Sequence, residues 1–360
     1  MMTRKEVVLL HWKKLNPTEE NYEKISVPVL GISAWYDIFL QGTLNNYMGV
    51  NSKGLNPGKN NQKLLIGPWM HFFSGQDQVI GDVDFGANVK IDIFKEMLNW
   101  FDYWLKGKEN NTNKEDPVKI FLMGKNEWRT HGDWPIPGTK FKNYYIHSEG
   151  KANSSSGDGI LNETKPENNE NVDIYNYDPS NPVLTVGGTG PAGGPVVSPV
   201  SAGPKNQFEI EKREDILIYT TPPLKKDIEI SGPVQMILYA ASNCLDTDFT
   251  CKLVDVYPDG FCLNIAQGII RARYRNSWET PELLKPEEIY KFTIDMWSTS
   301  NYFYKNHQIR IEISSSNFPQ YDRNPNTGNT FGLDNELKVA TQKIYHDKAH
   351  PSHIILPFIE

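Results

Sequence analysis

The sequence predicts an α/β unit followed by an all-β unit, and two observations carry that reading. Continuous apolar runs at residues 28–33 and 62–67 alternate with helix-compatible stretches at 41–50 and 91–106. Such runs suit strands buried on both faces, and their alternation with helices implies a parallel sheet. From residue 117 onward the texture changes to short β-branched and aromatic runs separated by turn signals such as Pro222-Pro223, Ser231-Gly232-Pro233 and Pro258-Asp259-Gly260. That spacing predicts an antiparallel β-sandwich or jelly roll.

The elements follow in order. Residues 1–24 are polar and carry no chemistry, with Pro17 placed to open a short helical turn. The first apolar run leads through the 41–50 crossover to the second. Ile91, Phe94, Met97 or Leu98, Phe101 and Trp104 or Leu105 then repeat with the spacing of an amphipathic helix, and Gly107 stops it. Residues 108–116 are polar and read as a linker, so the chain divides into units at 1–107 and 117–360. Strands are predicted at 118–123, 143–146, 216–220, 228–240, 250–257, 265–274, 290–296 and 308–314. Residues 150–171 and 187–206, rich in Gly, Asn, Ser and Pro, are expected to be mobile surface loops.

At 360 residues the chain is long enough for two cores, and 38% hydrophobic with 22% charged residues describes a folded globular protein. The net charge of −7 arises without a basic or acidic run, which argues against a nucleic-acid or anionic-membrane partner. Cys244, Cys251 and Cys262 are odd in number and lack a C-x-x-C spacing, so they read as buried thiols in a reducing compartment. Only four clear apolar residues precede His11, too few for a signal peptide or a membrane span, and a cytoplasmic location is expected.

The chemistry gathers at the ends of the two apolar runs. Gly31-Ile32-Ser33-Ala34-Trp35-Tyr36-Asp37 and Leu65-Ile66-Gly67-Pro68-Trp69-Met70-His71 each lead a strand into an aromatic turn that presents one reactive side chain. Ligands of open α/β sheets bind at the carboxyl ends of strands. Asp37 and His71 occupy the last two places of the order Ser, Asp, His seen in α/β-hydrolases. In such a triad the imidazole takes the nucleophile's proton, and the carboxylate fixes its tautomer and stabilises the imidazolium. Singly, an Asp after a strand is more often a turn residue and a His beside a Trp more often a packing one. The same context repeated twice leaves the catalytic and the packing readings evenly balanced.

At these residues the sequence resembles the family of cocaine esterase, α-amino-acid ester hydrolases and X-Pro dipeptidyl-peptidases. The resemblance continues through Phe101-Asp102-Tyr103-Trp104-Leu105-Lys106-Gly107, Glu127-Trp128-Arg129, Tyr177-Asp178-Pro179, Arg213-Glu214-Asp215, Leu245-Asp246-Thr247-Asp248-Phe249, Asp255-Val256-Tyr257-Pro258-Asp259-Gly260 and Ser314-Ser315-Ser316-Asn317-Phe318-Pro319. It covers the chain from about residue 12 onward. It implies the C-terminal portion of an α/β-hydrolase domain followed by a jelly-roll β-sandwich, with Asp37 as triad acid and His71 as general base. The family's nucleophilic Ser belongs to a Gly-x-Ser-Tyr elbow well before the Asp, in an N-terminal half. The resemblance therefore implies a serine hydrolase of esters or X-Pro peptides that needs a separately encoded N-terminal half. The alternative is a non-catalytic remnant, or a binding module built on the jelly roll.

Gly31-Ile32-Ser33 forms a Gly-x-Ser, but Trp35 stands where a tight elbow needs a small residue, so Ser33 is not read as the nucleophile. Trp35, Tyr36, Trp69 and Phe72 are candidates for lining a substrate pocket, or equally for packing. Asp246, Asp248, Asp255 and Asp259 do not follow a calcium-loop spacing and read as β-turn residues. Arg271, Arg273 and Arg275 read as a solvated or salt-bridged strand face. The histidines beyond His71, among them His307, His346, His350 and His353, read as surface residues. No metal and no cofactor is expected.

Overall fold

The structure, a computed structural model, describes residues 19–71, 75–190, 202–330 and 332–360. A helical turn at Glu19–Tyr22 precedes β1 (Val29–Tyr36), α1 (Leu40–Lys53), β2 (Gln62–Met70), α2 (Ile93–Lys106), β3 (Val118–Leu122) and β4 (Glu127–His131). These strands form a sheet in the order β1-β2-β3-β4, with β1, β2 and β3 mutually parallel and β4 antiparallel to β3. Most of β2 is buried, as expected of an apolar run covered on both faces. Leu40, Leu44, Tyr47 and Val50 bury one stripe of α1.

Residues 118–131, which the sequence places in the second unit, thus extend the first sheet. The chain then continues directly into the second, because Met123 exchanges backbone hydrogen bonds with Ser300 and Tyr302. One contiguous apolar core joins residues of both sheets.

The second sheet has eleven strands: β5 (Lys140–His147), β6 (Ile160–Asn162), β7 (Asp173–Tyr177), β8 (Leu217–Thr220), β9 (Ile228–Ser242), β10 (Asp248–Val256), β11 (Cys262–Arg271), β12 (Tyr290–Phe303), β13 (Gln308–Ser314), β14 (Ala340–Tyr345) and β15 (His353–Ile359). Its order is β11-β10-β13-β8-β6-β5-β15-β9-β14-β7, with β12 also paired to β9. The fifteen-residue β9 organises it. One edge of β9 pairs with β12 along most of its length, while the other pairs first with β15 and then with β14. All pairings are antiparallel except that of β8 with β6. The molecule is mostly β with few helices.

The predicted strands appear, most with small changes of boundary, whereas the one expected at 290–296 runs on to Phe303. The 150–171 stretch, expected to be loop throughout, contains β6, and residues 191–201 of the second expected loop lie outside the described residues. The helix predicted at 91–106 forms as α2, with Asp92 accepting from the Lys95 amide and Gly107 closing it at φ 65°. Its orientation differs from the expected one. Ile93 and Trp100 face inward, whereas Phe94, Leu98, Phe101 and Leu105 form an exposed apolar stripe.

Gly67 is required where it stands. A Cβ there would run into the ring of Trp69, which is itself packed in the core. Gly67→Ala is expected to destabilise the protein by about 2 kcal/mol through overpacking, read as a lower midpoint in urea unfolding. An unchanged midpoint would show that Trp69 can move aside.

Candidate active site

Two parallel neighbours, β1 and β2, set the site. Their register runs Ala34 opposite Gly67 and then Tyr36 opposite Met70, so β2 carries one extra residue in this interval. The bulge contains Pro68, beyond the last residue of β2 paired to β3, where a missing N–H disturbs no ladder. Without the extra residue Asp37 would align with Met70. With it, Asp37 and His71 leave adjacent strands side by side.

The resulting geometry is specific. His71 Nδ1 lies 2.9 Å from Asp37 Oδ1. The same oxygen accepts the Phe39 amide at 2.9 Å, and Oδ2 accepts the Ser33 hydroxyl at 3.0 Å. Asp37 is buried, whereas the His71 side chain keeps 19% of its surface exposed. The turn holding Asp37 is tied down by its own amide to Ala34 and by the Leu40 amide to its carbonyl, at 3.0 and 3.1 Å. A carboxylate with three converging donors, fixed between a strand and a helix, can hold one tautomer of the facing imidazole. In that tautomer Nδ1 carries the hydrogen and Nε2 is the nitrogen that accepts a proton.

Phe39, absent from the expected site, is 59% exposed and meets the His71 ring edge-on at a centroid distance of 5.0 Å. Its only sequence signal is an apolar residue in the turn two positions after the Asp. Ser33 is fully buried and committed to Asp37 Oδ2, on the carboxylate oxygen away from the His71 contact.

The aromatic candidates are packed as core. Trp35 donates from its indole to the Phe121 carbonyl at 2.8 Å, Tyr36 donates to the Asn264 carbonyl at 3.0 Å, and Trp69 packs on Trp128. Burial and its neighbouring acids push the Tyr36 hydroxyl well above its ordinary value, so it stays neutral. Trp35 and Tyr36 border a gap of only about 10 Å³. Phe72 lies outside the described residues.

The acidic residues of the second sheet differ from the turn reading. Asp246, Asp248 and Asp255 are buried and paired, with Arg273 at 2.7 Å, Arg271 at 2.9 Å and His307 at 2.8 Å respectively. Asp259 is a turn residue as expected, accepting the Phe261 amide. The arginines are salt-bridged, Arg275 to Glu282 at 2.9 Å, although only Arg271 belongs to a strand. His307 and His346 are buried, contrary to the surface reading. Among the described residues no group of three or more His, Cys, Asp or Glu side chains is placed to hold a metal, and no helix is long and apolar enough to cross a membrane. The three cysteines are buried and unbridged.

Asp37 and His71 thus meet at the carboxyl ends of adjacent parallel strands, where α/β sheets bind their ligands. Comparison with known proteins identifies the family. Residues 110–355 match the X-Pro dipeptidyl-peptidase C-terminal non-catalytic domain, and residues 2–73 match X-Pro dipeptidyl-peptidase of the S15 family. Cocaine esterase of Rhodococcus sp. (strain MB1 Bresler) is 37% identical over 342 residues, covering 93% of this chain and 57% of the esterase. The chain belongs to the X-Pro dipeptidyl-peptidase and cocaine esterase family of serine hydrolases.

Solved structures share the fold. An aminopeptidase from the marine sediment archaeon Thaumarchaeota archaeon superposes with a TM-score of 0.81 at 24% identity, covering 97% of this chain and 60% of that one. An α-amino acid ester hydrolase gives 0.79 at 24% identity, with the same coverage of both chains. The chain thus spans little more than half the length of these relatives.

Proposed function

We propose that Asp37 and His71 are the acid and base of a Ser-His-Asp triad that transfers acyl groups from esters or X-Pro peptides to water. The contact of 2.9 Å between His71 Nδ1 and Asp37 Oδ1 carries this reading. His71 Nε2 accepts the proton of the attacking hydroxyl and returns it to the leaving group, while Asp37 holds the ring and balances its positive charge. Ser33 is a positioning residue for Asp37, and the nucleophile comes from an N-terminal half of the kind the longer relatives have room for. Two features support such a partner. Among the described residues the outer edge of β1 pairs with no strand, and the stripe of Phe94, Leu98, Phe101 and Leu105 on α2 is exposed. Edges and apolar patches of this kind are ordinarily covered.

In the same reading residues 1–107 are the C-terminal portion of an α/β-hydrolase domain, 108–116 a linker, and 117–360 a jelly roll whose first two strands complete the hydrolase sheet. The three unbridged thiols favour a cytoplasmic location.

The test is co-expression with an N-terminal half bearing a Gly-x-Ser-Tyr elbow. A stable complex that hydrolyses p-nitrophenyl esters is expected, and Ser33→Ala in it should retain activity within about tenfold, the value of one hydrogen bond. Absence of a complex would favour the non-catalytic alternative. Abolition of activity by Ser33→Ala would return Ser33 as nucleophile.

A further inference from the structure

Away from Asp37 and His71 the second sheet carries a recess of about 520 Å³ with a distinctive lining. Its walls are aromatic: Tyr274, Trp278, Trp297 and Tyr321. Trp278 stands at the rim, 77% exposed. Three carboxylates, those of Asp248, Asp295 and Asp322, also line it, against the single guanidinium of Arg271.

The charges do not balance. Arg271 is engaged by Asp248 through two hydrogen bonds of 2.9 Å, which neutralises that pair. Asp295 receives the Trp297 amide at 2.8 Å and the Gln41 side-chain amide at 3.3 Å, both neutral donors. Asp322 accepts from Arg271 with its backbone carbonyl at 3.2 Å, and its charge also acts on that guanidinium. Three carboxylates against one guanidinium give the lining a formal excess of two negative charges beside four aromatic side chains.

The backbone is specialised at the same place. Met296 and Trp297 together oppose Val234, since β12 pairs Ser298 with Pro233 and Asp295 with Gln235. This bulge holds Trp297 at φ 62°, a left-handed conformation that a bulky side chain adopts only when its surroundings impose it. Trp297 lies on the same outward face of β12 as Thr293 and Asp295, all three lining the recess.

We infer that this recess binds an organic cation, an ammonium group carried on an apolar body. Aromatic faces attract cations through their quadrupoles, and the two carboxylates supply the counter-charge. A neutral ligand of the same shape gains from the walls alone. The inference stands whether or not the chain joins a hydrolase partner.

The experiment uses the full chain and two probes of one shape, choline and its uncharged carbon analogue 3,3-dimethylbutan-1-ol, in calorimetric and tryptophan-fluorescence titrations. Saturable binding of choline is expected, with the alcohol at least about tenfold weaker. Trp278→Ala, and separately the double change Asp295→Asn with Asp322→Asn, should each weaken choline by about threefold to tenfold at an unaltered circular dichroism spectrum. Equal binding of the two probes, absence of saturable choline binding, or choline binding untouched by both variants would overturn the inference. Should one variant fail to fold, the comparison of probes on the unaltered chain still decides it.

Discussion

Asp37→Asn, made in the chain assembled with a nucleophile-bearing half, is expected to lower kcat for a p-nitrophenyl ester by about 10⁴-fold and to change KM little. The substitution preserves size, and an amide oxygen can still accept at one position. Three donors converge on the carboxylate, however: His71 Nδ1, the Phe39 amide and the Ser33 hydroxyl. An amide that turns its NH₂ toward His71 demands an acceptor at Nδ1, which places the hydrogen on Nε2 and removes the base. An amide that turns its oxygen there loses the charge that stabilises the imidazolium. Both outcomes strike the transition state rather than substrate binding, which is why kcat falls and KM does not. Because triad members act as a unit, Asp37→Asn combined with His71→Ala should cost little more than His71→Ala alone. A loss below about tenfold, or additive losses in the double variant, would remove Asp37 from the catalytic pair.

The pair was legible in the sequence because each member ends a continuous apolar run, and strands in a parallel sheet deliver their carboxyl ends to one side. The bulge at Pro68 that aligns them was not, since a one-residue shift of register has no periodic signature. The amphipathicity of α2 was clear, but a helix with apolar residues on both Ile93-Trp100 and Phe94-Leu98 faces does not announce which one packs inward. Strand β7 escaped detection for a related reason. It alternates as a strand should, yet the residues it buries are Asp173, Tyr175 and Tyr177, so the inward face begins with a carboxylate. That carboxylate is satisfied by His346, which lies 173 residues away, and no local window contains both. Buried polar clusters assembled from distant segments are where sequence patterns say least.

The Asp173 cluster also makes the strongest statement about stability and pH. His346 is buried between two acids, with Nε2 2.9 Å from Asp173 Oδ2 and Nδ1 2.9 Å from Glu170 Oε2. Asp173 further accepts Ser148, Tyr219 and the Ala152 amide, and Glu170 reaches His147 with its other oxygen. Burial by itself lowers the pKa of His346, but the hydrogen bonds and charges of Asp173 and Glu170 outweigh it and raise the group above its ordinary 6.5. For Asp173 burial acts upward, and the donors around it outweigh that and hold it below its ordinary 3.8.

The signs follow from linkage. A raised His contributes stability that is complete below 6.5 and disappears as pH climbs through its folded pKa. A depressed Asp contributes stability that is complete above 3.8 and disappears as pH falls through its folded pKa. The cluster is at full strength between those two values. Near pH 6, His346→Gln should cost about 3–5 kcal/mol, because it leaves the buried Asp173 carboxylate without its cation. As pH climbs through the folded pKa of His346 the unaltered chain loses the imidazolium while the variant has none to lose, so the difference between them must shrink. Urea unfolding of both proteins at pH 6 and pH 9 measures this directly. A difference that stays constant or grows with pH would mean that His346 is not held as the cation joining these acids.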